Sequence, residues 1–134
     1  MADTQADLQD FATRYTAAWC SQDASRVAAF FAADGSLSVN DGAPAVGREA
    51  IQAVAQSFMT VFPDLRVILD QLVIETDRAD YHWTLLGTHT SPGGTGNQVR
   101  IRGVEHWSIG SDGLIAASRG EFDAAEYQRQ IAGS

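Results

Sequence analysis

Apolar residues recur every three or four positions in the first half of the chain, which is the spacing of amphipathic helices. The first helix is capped by Asp3 or Thr4, a second short helix follows the N-cap Asp23 and ends at Asp34-Gly35, and a third opens at 47–49 and stops at Pro63. Their apolar faces are Leu8, Phe11, Ala12, Tyr15, Ala18 and Trp19, then Val27, Phe30 and Phe31, then Ile51, Val54, Ala55, Phe58, Met59 and Phe62.

The second half alternates between apolar and polar positions, which is typical of strands. Strands are predicted at 36–40, 65–75, 79–90 and in a hairpin spanning 99–122, with turns at 41–44 and 76–78, a glycine-rich connection at 91–97 and a short final helix over 124–131 capped by Asp123. Helices followed by strands with short connections predict an α+β fold, with the helices packed on one face of a strongly curved, mostly antiparallel sheet. Because 134 residues suit one domain, residues 1–134 are assigned to a single domain that encloses a cone-shaped cavity.

The hairpin at 99–122 gives a register that can be tested. Its loop, Ser111-Asp112-Gly113, has the chemistry of a type I turn closed by a glycine in the left-handed region. If Gly110 faces Leu114, the pairs along the hairpin are Ile109–Ile115, Trp107–Ala117, Glu105–Arg119 and Gly103–Glu121. One face then begins apolar and ends with an acid, a base and a second acid, so it is either the floor of a pocket or a solvated end of the sheet.

Composition narrows the class of partner. The net charge of −8 argues against nucleic acid and anionic membranes, since both are themselves negatively charged. The single Cys20 can form no internal disulfide and is expected to pack as a small apolar residue, which suits a reducing cytoplasm. No signal peptide or membrane span is recognised, and the three histidines show no paired spacing typical of a metal site. The sequence therefore predicts a cytoplasmic protein without a metal or other cofactor.

Several motifs also resemble a known family. FPDLR at 62–66, WTLLGTHTS at 83–91, RGVEHW at 102–107, DGLI at 112–115 and FD at 122–123 are similar to the SnoaL-like group of the nuclear transport factor 2 superfamily. This resemblance implies a cone-shaped α+β fold, usually homodimeric through its sheet. It also implies a cavity of the kind that serves polyketide cyclases, ketosteroid isomerases, scytalone dehydratases and limonene epoxide hydrolases, as well as members without catalysis.

The chain departs from the family where chemistry is expected. Where the last strand of SnoaL-like cyclases commonly reads DGKIxEHWxxxD, this chain reads DGLIAASRGEFD, so Ala117-Ser118-Arg119 replaces the Glu-His-Trp triplet. The resemblance therefore does not carry polyketide cyclisation over to this chain.

The register places a candidate catalytic group at the charged end of the hairpin. Glu105 or Glu121 is the expected base, Arg119 orients it, and Tyr15 is a possible hydrogen-bond donor. The expected substrate-binding residues are Trp19, Phe58, Phe62, Trp83, His89 and Trp107. In the structural alternative, Glu105 and Arg119 form a cross-strand ion pair at a wet sheet edge, worth under about 1 kcal/mol.

Two functions follow. The first is a cofactor-independent acid–base enzyme of isomerase, dehydratase, cyclase or hydrolase type that acts on a small apolar or polycyclic molecule, and it predicts that Glu121→Gln abolishes turnover without changing the melting temperature. The alternative is a non-catalytic module that binds a small molecule or another copy of the chain.

Overall fold

A computed structural model describes the chain from residue 4 to residue 132, except residues 41, 77 and 91–93. The elements are α1 (Thr4–Cys20), α2 (Ala24–Ala28), β1 (Phe31–Val39), β2 (Ala45–Val46), α3 (Arg48–Val61), β3 (Arg66–Ile74), β4 (Arg78–Thr88), β5 (Gln98–Ile109), β6 (Ile115–Phe122) and α4 (Ala124–Ala132). The expected cap Asp3, the turn residues Asp41 and Asp77, and residues 91–93 of the glycine-rich connection lie outside the described residues.

The strands form one six-stranded sheet in the order β2-β1-β6-β5-β4-β3. Neighbouring strands are antiparallel except β1 and β6, which run parallel. The inner face of the curved sheet and the first three helices bury one continuous apolar core. The predicted α+β fold, with helices on a curved and mostly antiparallel sheet, is confirmed. None of the described helices is both long enough and apolar enough to cross a lipid bilayer.

The second helix is shorter than its apolar spacing predicts. It ends at Ala28, and Phe31 is already the first residue of β1. Strand pairing outweighs the local helical pattern here, because Phe31 pairs with Ile115 on β6 and Ile115 N donates to Phe30 O at 3.0 Å. The side chain of Arg48, at the start of α3, also donates from Nε to Phe31 O at 2.8 Å. The prediction that Phe30 and Phe31 belong to this helix is therefore wrong, and the strand predicted at 36–40 begins five residues earlier.

Cys20 also differs from its prediction. It is exposed at the end of α1, and its Sγ lies 3.4 Å from both the N and the O of Val67 on β3. Cys20 thus joins a helix end to a strand instead of filling the core.

The hairpin of β5 and β6 begins as predicted. Gly110 N donates to Leu114 O at 2.9 Å, Gly113 has φ of +79°, and Ile109 faces Ile115. The register then shifts, because Ser108 pairs with Ala117, which leaves one extra residue on β6. This is a β-bulge, and it exchanges the inward and outward positions of the rest of the strand.

Beyond the bulge, the predicted register is wrong by one residue. Glu105 pairs with Gly120, and Arg119 pairs with His106. The remaining pairs are Trp107–Ser118 and Gly103–Phe122. Residues Ser118, Gly120 and Phe122 therefore share the inward face with Glu105, whereas Arg119 and Glu121 lie on the outer face.

Candidate functional site

A cavity of about 650 Å³, counting its mouth, lies between the sheet and the helices. Nearly all of its wall is aliphatic or aromatic. The lining residues are Trp19, Leu37, Val39, Val54, Phe58, Val67, Tyr81, Trp83, Leu85, Ile101, Glu105, Gly120, Phe122 and Tyr127. Glu105 is the only one of these lining residues that carries a carboxyl group.

Glu105 is held by three donors at one of its two oxygens. Oε1 accepts from Ser118 Oγ at 2.7 Å, from Tyr15 Oη at 3.0 Å and from Trp107 Nε1 at 3.2 Å. Among the described residues, the only hydrogen-bond donor to Oε2 is Tyr15 Oη, at the longer distance of 3.3 Å. Oε1 therefore fixes the orientation of the carboxyl, and Oε2 keeps the capacity to exchange a proton.

Aromatic packing fixes the donors themselves. Trp107 stacks on Tyr81 with ring centres 4.9 Å apart and planes 17° apart, and the Tyr15 ring meets both rings edge to face. Tyr15 and Trp107 are buried behind Glu105 and do not line the cavity. Burial, and after it the charge of Glu105, raises the pKa of Tyr15, so its hydroxyl stays protonated and able to donate. These residues position the carboxyl instead of touching a ligand.

The environment makes Glu105 a stronger base than an ordinary glutamate. Burial raises its pKa, because a charged carboxyl loses water there, and the hydrogen bonds from Ser118, Trp107 and Tyr15 oppose this shift only in part. A carboxyl whose pKa moves towards neutrality suits both removal and return of a proton.

The raised pKa of Glu105 predicts a specific pH dependence of stability. The folded chain holds this proton more tightly than the unfolded chain, so the stability it contributes is complete below the ordinary value of 4.5 and is lost as pH rises through the folded pKa. We expect the free energy of unfolding of the native chain to fall with rising pH relative to that of Glu105→Gln, which has no charge to bury. Urea unfolding of both proteins from acid to mildly alkaline pH measures this difference, and parallel profiles would contradict it.

Arg119 and Glu121 do not join Glu105. Both are exposed on the outer face, where Glu121 Oε2 lies 2.9 Å from His106 Nε2 and Asp80 Oδ1 lies 2.7 Å from His106 Nδ1. The hydrogen bonds to Asp80 and then to Glu121 raise the pKa of His106. The expected group of Glu105, Arg119 and Glu121 is therefore not assembled. On the outer face, His106 instead forms hydrogen bonds with two carboxylates.

The expected substrate-binding residues separate into two groups. Trp19, Phe58 and Trp83 line the cavity. Phe62 and Trp107 are buried in the core without lining it, and His89 accepts from Thr95 N at 3.1 Å, with its ring beside Phe62. The structure therefore places His89 at the base of the glycine-rich connection and away from the cavity.

Ser118 is the functional candidate that sequence reasoning missed. Its hydroxyl makes the shortest hydrogen bond to Glu105, yet the predicted register placed it on the outer face. A signal was present in β6, where charged Arg119 and Glu121 alternate with the small or apolar Ser118, Gly120 and Phe122. Within the described ranges, no three His, Cys, Asp or Glu side chains come together as metal ligands.

Residues 12–118 match the family model of the SnoaL-like domain. The chain belongs to the SnoaL-like family. No curated protein matches it in sequence. The resemblance drawn from the FPDLR, WTLLGTHTS and RGVEHW motifs is thereby confirmed.

Solved structures share the SnoaL-like cone. A protein of Jannaschia sp. CCS1 assigned as a SnoaL-like polyketide cyclase is 16% identical and has a TM-score of 0.85, with 100% of this chain and 97% of that chain covered. TsrD from Streptomyces laurentii is 24% identical with a TM-score of 0.84, and both chains are covered completely. A protein with a ketosteroid isomerase-like fold from Catenulispora acidiphila, in complex with trimethylamine, is 17% identical with a TM-score of 0.81, covering 91% and 92% of the two chains. At these identities the likeness establishes the fold alone.

Proposed function

We propose that this SnoaL-like protein is a cofactor-independent acid–base enzyme in which Glu105 moves a proton on an apolar or polycyclic molecule bound in the cavity. The observation that carries the proposal is the carboxyl itself, which lines an apolar cavity while three donors hold one of its oxygens. A buried carboxyl is costly to keep in a core, and perturbed groups in cavities are characteristic of functional sites. The homodimer and the cytoplasmic location expected from the sequence stay predictions.

The proposed chemistry begins at Oε2 of Glu105. The carboxylate removes a proton from a carbon next to a carbonyl, the C–H electron pair moves towards the carbonyl oxygen, and the resulting glutamic acid returns the proton to carbon or to oxygen. Ser118, Trp107 and Tyr15 keep the carboxyl oriented during both transfers. Proton removal next to a carbonyl also begins an aldol-type ring closure. The Jannaschia protein of the same fold is named as a polyketide cyclase. Arg119 and Glu121 have no part in the proposed chemistry.

Proton exchange into a small bicyclic ketone tests this function without knowledge of the natural substrate. β-Tetralone is compact, largely apolar and carries acidic C–H groups beside its carbonyl. We expect the native protein in deuterium oxide to accelerate deuterium incorporation at these carbons above the rate in protein-free buffer of the same composition. Proton magnetic resonance follows the loss of the C–H signals. Binding of the ketone without acceleration would contradict the enzyme and support the non-catalytic binding module.

A further inference from the structure

The carboxyl in the cavity has no cationic partner. Glu105 lines the cavity, and none of the other lining residues is cationic. The three groups that donate to Oε1, from Ser118, Tyr15 and Trp107, are electrically neutral. Among the ion pairs of the described residues, none involves Glu105. Because buried carboxylates are normally paired with a cation, the ionised form of Glu105 lacks its usual counter-ion.

Aromatic rings form much of the wall around this carboxyl. We call them the aromatic box, which consists of Trp19, Phe58, Tyr81, Trp83, Phe122 and Tyr127. Neighbouring rings meet at steep angles, since the planes of Trp19 and Phe58 are 72° apart and those of Phe122 and Tyr127 are 68° apart. Aromatic rings attract a cation through the negative charge of their faces, and proteins use groups of such rings to bind quaternary ammonium ions.

Glu105 is open to the cavity beside Gly120. Gly120 pairs with Glu105 across β6 and β5 and also lines the cavity. Because glycine has no side chain, the space next to Glu105 Cγ stays free, where a Cβ would lie 3.8 Å from that atom. Glu105 keeps 8% exposure at an inward position of the sheet, so its accessible part faces the cavity. A cation in the cavity lies close to the carboxyl, in a setting that strengthens their attraction relative to water.

The wall also limits which kind of cation fits. Besides the carboxyl of Glu105, its side chains offer as oxygen acceptors only the hydroxyls of Tyr81 and Tyr127, and the Tyr81 hydroxyl is already bonded to Thr16 Oγ1. A primary ammonium group has three N–H donors to satisfy, and a guanidinium has five. A tertiary ammonium has one and a quaternary ammonium has none. The wall therefore suits a cation whose charge lies within an apolar surface.

From this arrangement we propose that the cavity binds apolar organic cations, with a tertiary or quaternary ammonium group in the aromatic box and Glu105 as its counter-ion. The proposal goes beyond the proposed function because it concerns binding alone, and it applies equally to a catalytic and a non-catalytic cavity. A bound cation favours the charged form of Glu105. It also occupies the space in front of the carboxyl, so it competes with any other molecule that Glu105 would reach.

Two ligands of one shape test the need for charge. Phenyltrimethylammonium and tert-butylbenzene differ only in that a charged nitrogen replaces a carbon. We expect Glu105→Gln, which keeps the shape of the side chain and removes its charge, to weaken binding of the cation about tenfold and of tert-butylbenzene less than about twofold. Phe58→Leu keeps an apolar wall and removes one ring, and we expect it to weaken binding of the cation alone, by about two- to fivefold. Isothermal titration calorimetry measures these affinities.

The pH dependence of binding identifies the counter-ion and needs no variant to fold. Phenyltrimethylammonium has no N–H proton to lose, so a change with pH arises in the protein. The titratable groups around Glu105 and the cavity are Tyr15 of α1, Tyr81 of β4 and Tyr127 of α4, and burial raises the pKa of each, so all three stay protonated. Burial also raises the pKa of Glu105. We expect affinity for the cation to rise with pH through the pKa of Glu105 and then to level off, because the cation prefers the charged carboxyl.

Glu105→Gln is also the control for the pH profile. The variant retains His106, whose pKa is raised on the outer face by hydrogen bonds to Asp80 and Glu121, together with the other exposed groups that titrate. We expect its affinity for phenyltrimethylammonium to stay constant over the pH range in which that of the native protein rises. A matching rise in the variant would assign the effect to the outer face.

Three results would overturn the proposal: no binding of phenyltrimethylammonium by the native protein, an affinity that does not change with pH or changes equally in Glu105→Gln, or equal weakening of both ligands by that substitution. These measurements involve no turnover. Cation binding without deuterium exchange of β-tetralone would therefore contradict only the proposed enzyme, whereas exchange by a protein that binds no cation would contradict only the counter-ion role of Glu105.

Discussion

Glu105→Gln is expected to slow the protein-catalysed deuterium exchange of β-tetralone by roughly 10²–10⁴-fold, the usual contribution of a positioned general base. The substitution preserves shape and removes only the titrating group. Its amide oxygen can accept from Ser118 Oγ and Trp107 Nε1 in the place of Oε1, so the buried donors keep a partner. The folded structure should therefore survive, and circular dichroism of the variant confirms that the rate is lost without unfolding.

Glu121→Gln is the matched control for that experiment. Glu121 is the same residue type on the neighbouring strand, but it is exposed and contacts His106 on the outer face. We expect this variant to exchange β-tetralone at the native rate, the opposite of what the predicted register required. Native exchange by Glu105→Gln, or its loss in Glu121→Gln, would contradict the assignment of the base to Glu105.

The turn of the β5–β6 hairpin could be predicted from the sequence, whereas the register of its strands could not. Ser111-Asp112-Gly113 carries a turn signal that depends only on neighbouring residues, and the turn forms with Gly113 in the left-handed region. A β-bulge depends instead on how two strands fit over a core, and no single residue type marks it. One inserted residue was enough to exchange Arg119 and Glu121 with Ser118 and Gly120.

The same distinction between local signals and strand register explains which residues of the candidate site could be predicted from the sequence. Glu105 and Tyr15 were predicted because each stood out as a polar residue on an apolar face, and this property survives an error in the partner strand. Partners at a distance in sequence, such as Ser118 for Glu105 and Gly103 for Trp83, require the correct register. The end of α2 was mispredicted for a similar reason, because pairing with a distant strand outweighed the local helical pattern at Phe31.

Gly103→Ala is expected to destabilise the fold by about 1–3 kcal/mol, as overpacking of a well-filled core does. The new Cβ would lie 2.2 Å from Cζ2 of Trp83 and 2.7 Å from the backbone oxygen of Glu121, so neither the ring nor the strand can stay where it is. For a domain of this size we expect a fall in melting temperature of roughly 5–10 °C. Differential scanning calorimetry measures the fall.

Gly120→Ala separates this clash from a general effect of adding a methyl group to the sheet. Gly120 faces Glu105 from β6, and a Cβ there would meet Ser38 O at 3.4 Å and Glu105 Cγ at 3.8 Å, which are ordinary contacts. Its cost should therefore stay below about 1 kcal/mol. Equal melting temperatures for the two variants would show that the Trp83 ring does not rest on Gly103. A lower melting temperature for Gly103→Ala alone would instead show that β5 needs glycine at position 103, because the Trp83 ring occupies the space of a side chain there.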